Sequence, residues 1–189
     1  MTAISPNYAG YRDVRDEIRD ADLVLFRRRG LTGAAIGAVG RSIYSHVGMA
    51  AWWSGSLMLL EMREWYGGRA VRLSSQVAEC PGSIDIYQAN VWDYHREAIV
   101  DVMRRHAGTR YAWSTIRWIA WRNAPIVRWL VGPPMDDNDD DSPAVCSTLV
   151  SRAYRHAGYD PVRNRSDRAT TPGDLGGSAL FDYCWTLTE

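Results

Sequence analysis

The chain has 189 residues and no lysine; all 22 basic residues are arginine. That excludes any mechanism built on a catalytic lysine. Formal net charge is zero, so bulk charge favours neither nucleic acid nor an acidic membrane as a partner. Cysteine is scarce. Cys80, Cys146 and Cys184 form no even, regularly spaced framework and no CxxC pair, which excludes a disulfide scaffold and a zinc ribbon. The histidines do not cluster at ligand spacing, so neither a metal nor another cofactor is expected. No apolar run reaches the roughly 18 residues of a membrane span. The first residues, Met1-Thr2-Ala3-Ile4-Ser5-Pro6, carry neither a basic region nor an apolar stretch. A cytoplasmic location is the expectation that follows.

What remains is a globular composition, 46% hydrophobic and 23% charged, in one domain long enough to bury a real core. Residues 1–10 read as a loose arm and 11–20 as a short surface helix. Asp22-Leu23-Val24-Leu25-Phe26 reads as a strand buried on both faces. The small, apolar segment 31–41 reads as a weak helix or a loop. Tyr44 to Trp53 and Ser56 to Glu64 read as a hairpin about Ser54-Gly55. A strand at 69–74, a short helix near 75–79 and a strand at 84–87 follow. A helix from Trp92 to Ala107 is expected, capped by Asn90 or Asp93 and stopped by Gly108, with Ala98, Ile99, Val102 and Met103 as its buried stripe. His95 and His106 on that helix read as solvated or interfacial. Residues 180–187 read as the last strand, with Cys184 in the core.

The stretch around Cys146 carries the most chemistry. Ser142 can cap a helix, Pro143 suits its first position, and Gly158 fits its left-handed stop. Leu149, Val150, Ala153, Tyr154 and Ala157 recur at helical spacing. Cys146 then falls in the first turn, where backbone amides and the helix dipole favour a thiolate. Such a cysteine is a nucleophile if a histidine is near, and otherwise a small buried residue. His46 begins a strand, a place where histidine is usually structural. Gly48, two residues on, leaves room beside the ring for another backbone or a substrate. Glu61 lies among apolar residues on the partner strand and needs a partner of its own. An arginine would make it a salt bridge; His46 would make it an orienting carboxylate. Together these are the parts of a Cys–His–carboxylate site.

Residues 112–143 stand apart. Trp113, Trp118, Trp121 and Trp129 alternate with Arg117, Arg122 and Arg128, and Pro125 interrupts them. The stretch reads as a lid packed on the domain, and 113–131 is also a candidate membrane-surface contact. The acidic run from Asp136 to Asp141 lacks the central Gly and distal Glu of a calcium loop.

In order along the chain, these pieces resemble a known family. Asp22 to Phe26 resembles its opening strand, and Tyr44-Ser45-His46-Val47-Gly48-Met49 its histidine motif. Leu60-Glu61 resembles its acidic strand, and Gly108-Thr109-Arg110-Tyr111 its Gly-x-x-Tyr element. Val145 to Val150 resembles its cysteine motif, and Thr171-Pro172-Gly173-Asp174-Leu175 its closing Thr-Pro-x-Asp-Leu. The family is the circularly permuted NlpC-type papain-like amidases, which include YiiX- and YebB-like proteins of bacteria. The match spans about residues 20–180, and it rests on the order, with histidine before cysteine.

The resemblance implies an α+β, permuted papain-like fold. In it an antiparallel sheet or small barrel packs against the helix bearing the nucleophilic cysteine. It implies a single domain over 1–189 with an insert at 112–143. It further implies a bacterial or phage cysteine hydrolase acting through an acyl-enzyme on a peptide or acyl-amide substrate, a cell-wall stem peptide being one candidate. Cys146 is then nucleophile, His46 base and Glu61 the third member, while Tyr111, Ser45, Gly48 and Ser147 line the site. A lipid-directed thiol acyltransferase or esterase is the enzymatic alternative. A non-enzymatic binding or structural module on the same scaffold, including a place in a phage particle, is the other.

Overall fold

A computed structural model describes residues 5–27, 42–63, 66–109, 146–163 and 165–189. Tyr111, the segment 31–41, the proposed cap at Ser142-Pro143 and the insert 112–143 lie outside the described residues.

The architecture is α+β, built on an open seven-stranded sheet in the order β1–β7–β6–β2–β3–β4–β5. The strands are β1 (Tyr8–Gly10), β2 (Leu23–Arg27), β3 (Tyr44–Trp53), β4 (Ser56–Arg63), β5 (Gly67–Arg72), β6 (Ile84–Ala89) and β7 (Phe181–Thr188). The described helices are α1 (Tyr11–Val14), α2 (Leu73–Glu79), α3 (Asp93–Arg105), α4 (Cys146–His156) and α5 (Pro172–Gly176). All pairings are antiparallel except β1 with β7.

Alternation along the central strand divides the core. Leu23 and Leu25 of β2 join a cluster with Val47, Met49, Ile99 and Met103, and with Leu149, Ala153 and Tyr154 of α4. Val24 and Phe26 face the other way, toward Val14, Ile18, Leu73 and Val77. β2 is thus buried on both faces, as its unbroken apolar run predicts. At the hairpin, Ser54 and Gly55 take φ of 49° and 74°. A two-residue turn with both φ positive matches the twist of its strands and sets Trp53 opposite Ser56.

α4 ends as expected. Gly158 has φ of 86°. The Tyr159 and Gly158 amides donate to the carbonyls of Tyr154 and Arg155 at 3.0 and 2.9 Å, which closes the helix end in a Schellman turn.

Four expectations need correction. Residues 8–10 are not part of a loose arm. They form β1, held parallel to β7, where the Thr186 amide donates to the Asn7 carbonyl at 2.8 Å. The residue before α3 is Trp92, with no side-chain cap, so neither Asn90 nor Asp93 plays that part. Ala98 is exposed, and the buried stripe holds Arg96 and Val100 instead. Arg96 is tolerated there because it donates to the Asp22 carboxylate and to the carbonyls of Asp20 and Ala89. Cys184 is half-buried rather than in the core.

Candidate active site

The histidine strand starts with a bulge. Phe26 of β2 faces His46, but the next residue, Arg27, faces Tyr44. Ser45 is therefore the extra residue. A bulge breaks the strict alternation of a strand and re-aims its neighbours. Tyr44 consequently packs in the cluster beneath α4, while the Phe26 ring lies 5.3 Å from the His46 ring.

Gly48 stands opposite Glu61 on β4, and Glu61 stands opposite Arg69 on β5. A Cβ at Gly48 would come within 2.5 Å of Leu59 Cδ1, 2.8 Å of the Leu60 carbonyl oxygen and 3.2 Å of Glu61 Cβ. The room that glycine leaves is filled by the adjacent strand, not by a substrate. It brings β4 close enough for Glu61 to lean diagonally onto His46.

The Glu61 side chain is fully buried, with one oxygen on His46 and the other toward two arginines. His46 Nε2 donates to Oε2 at 2.6 Å. Arg69 donates to Oε1 from Nε at 2.7 Å, with Nη2 at 2.5 Å. Arg63 Nη1 lies 3.6 Å from Oε1. The two readings of this carboxylate, salt bridge and histidine partner, hold at once. Burial alone would raise the Glu61 pKa. The hydrogen bond from His46 and the charges of His46, Arg63 and Arg69 outweigh it and hold the carboxyl at about 2. An ionised carboxylate only accepts, so the proton on this side of the ring sits on Nε2.

That leaves Nδ1 for the other neighbour. Cys146, which is 9% exposed, is the other group whose interaction with the His46 ring raises its pKa. Burial would lower the pKa of the imidazole. The hydrogen bonds and negative charge of Cys146 and Glu61 prevail and push it up to about 10. Cys146, His46 and Glu61, which lie on three separate elements, are thus brought together, with His46 hydrogen-bonded to Glu61 and interacting with Cys146.

Ser147 does not face this line. It is 3% exposed, and its hydroxyl donates to the Thr170 carbonyl at 2.6 Å. Its part is to tie α4 to the segment leading into α5. That segment is fixed by a capping box in which Thr171 and Asp174 satisfy each other's amides at 3.2 and 2.9 Å. Arg69 and the bulge at Ser45 are what sequence reasoning missed. Both follow from strand register, which a linear reading did not fix beyond the first hairpin.

The class defined by fold and site is an α+β protein with a cysteine, a histidine and a buried carboxylate aligned between a helix and a sheet. No protein-family model and no curated protein matches the sequence. Among solved structures, the chain is similar to the crystal structure of the metalloprotein YiiX from Escherichia coli O157:H7, DUF1105. The TM-score is 0.64 and the identity 12%, over 89% of this chain and 97% of that one. At that identity the likeness is one of fold.

Proposed function

We propose that the protein is a cysteine hydrolase that cleaves an amide bond of a peptide-like substrate through a thioester intermediate on Cys146. One observation carries this reading. A single imidazole is hydrogen-bonded to a buried, ionised carboxylate and interacts with the side chain of a cysteine at the start of a helix. That is the arrangement a nucleophile, its base and an orienting group require.

The proposed reaction runs in two stages. The Cys146 thiolate attacks the carbonyl carbon, and the C=O electron pair moves to oxygen. When the pair returns, the C–N bond breaks and His46 gives its proton to the departing amine. Neutral His46 then takes a proton from water, and the hydroxide attacks the thioester. The C–S bond breaks, the acid leaves, and Cys146 is again a thiolate beside an imidazolium. Glu61 keeps the ring in one orientation and stabilises its charged form throughout.

YiiX is described as a metalloprotein. The described residues of this chain do not fit that role. Among them no three of His, Cys, Asp and Glu gather where an ion could be held. Glu61, the carboxylate beside His46, has both oxygens engaged.

The test is incubation with a panel of cell-wall stem peptides, acylated peptides and acyl lipids, read by mass spectrometry. Hydrolysis of an amide by wild type and not by Cys146→Ala is expected, with a hydroxylamine-sensitive acyl adduct on Cys146. Equal hydrolysis by the Cys146→Ala variant would overturn the reading. Cleavage confined to acyl lipids would replace it with the lipid-directed alternative.

A further inference from the structure

Glu61 could be kept ionised by any nearby cation, but its surroundings do more than supply charge. Arg69 sits directly across from it on β5. Both nearest guanidinium nitrogens, Nε and Nη2, converge on the same oxygen, Oε1, at 2.7 and 2.5 Å. The guanidinium carbon also lies 4.9 Å from the centre of the Tyr66 ring, which limits where the group can swing. Arg63, the other arginine nearby, is differently engaged. Its Nη1 donates to Gln76 Oε1 at 3.0 Å and stands farther from the carboxylate.

Two guanidinium donors converging on one oxygen fix the position of that oxygen more closely than a point charge does, and the bond from His46 to Oε2 then sets the orientation of the group. From this we infer that Arg69 is a positioning residue of the site: it holds Glu61 Oε1 so that Oε2 stays aimed at His46 Nε2. The inference rests on the hydrolase reading of Cys146, His46 and Glu61. It assigns two separable contributions to one side chain. The charge keeps a buried carboxylate ionised, and the fork keeps it oriented.

Two variants separate them, Arg69→Lys and Arg69→Gln. The readout is the rate of iodoacetamide alkylation at Cys146, measured by peptide mass spectrometry per folded molecule from pH 4 to 9. Arg69→Lys retains the charge and loses the fork. Its rate at neutral pH should fall about tenfold, part of the roughly 10²-fold that a full 1 Å misplacement costs, with the acid limb of the profile unmoved. Arg69→Gln loses both, so the rate should fall further and the acid limb should rise by about one pH unit or more. Arg63→Gln removes a charge that also lowers the Glu61 pKa but makes no fork on it, so it should raise the acid limb while leaving the neutral-pH rate within about twofold.

If Arg69 only stabilises the fold, both variants melt earlier but keep the wild-type rate and limb, and the inference is overturned. If Arg69→Gln does not fold, a wild-type rate in Arg69→Lys overturns it alone. A wild type no faster than His46→Ala would sink the hydrolase reading first. A fast wild type matched by Arg69→Lys would sink only the role of Arg69.

Discussion

Two carboxylates are buried in the same sheet, and they are used differently. Asp85 on β6 is fully buried and surrounded by groups that do not change protonation near neutral pH. Tyr44 donates to Oδ2 at 2.6 Å, Thr186 to Oδ1 at 2.7 Å, and Arg27 Nε reaches both oxygens at 3.1 and 3.0 Å. The Tyr44 phenol is itself held above its ordinary pKa, by burial first and then by its bond to Asp85. Every lone pair that matters is taken by a permanent donor, and the group joins β2, β3, β6 and β7. Glu61 has one oxygen secured in the same way, by Arg69. Its other oxygen is committed to an imidazole that also interacts with Cys146. A buried carboxylate satisfied wholly by fixed donors is structural. In the proposed function, the one that shares itself with a titratable ring orients that ring for Cys146.

Removing each charge in turn should separate the two roles. Glu61→Gln should lower hydrolysis by about 10²-fold or more, in the range of general acid–base contributions, besides costing about 3 kcal/mol of stability, because it strips a partner from a buried ion pair. Asp85→Ala should cost stability alone. Stripping one partner from a buried, hydrogen-bonded ion pair costs about 3 kcal/mol or more, and activity per folded molecule should be unchanged. Urea melts and rates normalised to folded protein read both. Normal activity in a badly destabilised Glu61→Gln would make the two carboxylates equivalent and end the distinction.

Gly48→Ala is the next largest effect. The added Cβ meets the Leu60 backbone oxygen at 2.8 Å, so β3 and β4 must part, at about 1–3 kcal/mol as for other overpacking. Cys146 alkylation should fall with it, because Glu61 moves away from His46. The control is Ala51→Gly, elsewhere on β3, which should cost stability without slowing alkylation.

The pH dependence sharpens the contrast further. The Glu61 carboxyl lies at about 2, below its ordinary 4.5. Its contribution to stability is complete above pH 4.5 and is lost as pH falls toward 2. The His46 imidazole lies at about 10, above its ordinary 6.5. Its contribution is complete below pH 6.5 and is lost as pH rises toward 10. The gap in melting temperature between wild type and Glu61→Gln should therefore be widest between pH 4.5 and 6.5 and close toward either side. Parallel melting curves across the range would contradict the coupling.

The elements with a strong local signal were legible. β2 is an unbroken apolar run, the hairpin turns on Ser54-Gly55, and Gly158 ends α4 where the apolar period stops. The line of Cys146, His46 and Glu61 was legible as a set of residue types in order. What escaped the sequence depends on contacts distant along the chain. β1 is three residues long, and its partner β7 lies at the other end of the described chain. Arg96 reads as a solvated helical charge until Asp22 is brought beneath it. Arg69 reads as one arginine among many until the pairing of β4 with β5 sets it across from Glu61. Ser147 reads as a site residue by its place next to Cys146, yet the helical turn sends its hydroxyl to Thr170.

The most direct test of the central claim is alkylation by iodoacetamide across pH, resolved at each of the three cysteines, in wild type and in His46→Ala. Cys146 should react at pH 6 faster than half-buried Cys184, whose thiol burial pushes up, and His46→Ala should remove this advantage. Equal reactivity of Cys146 with and without His46, or complete protection in the folded protein, would contradict it and leave a scaffold whose cysteine is packing alone.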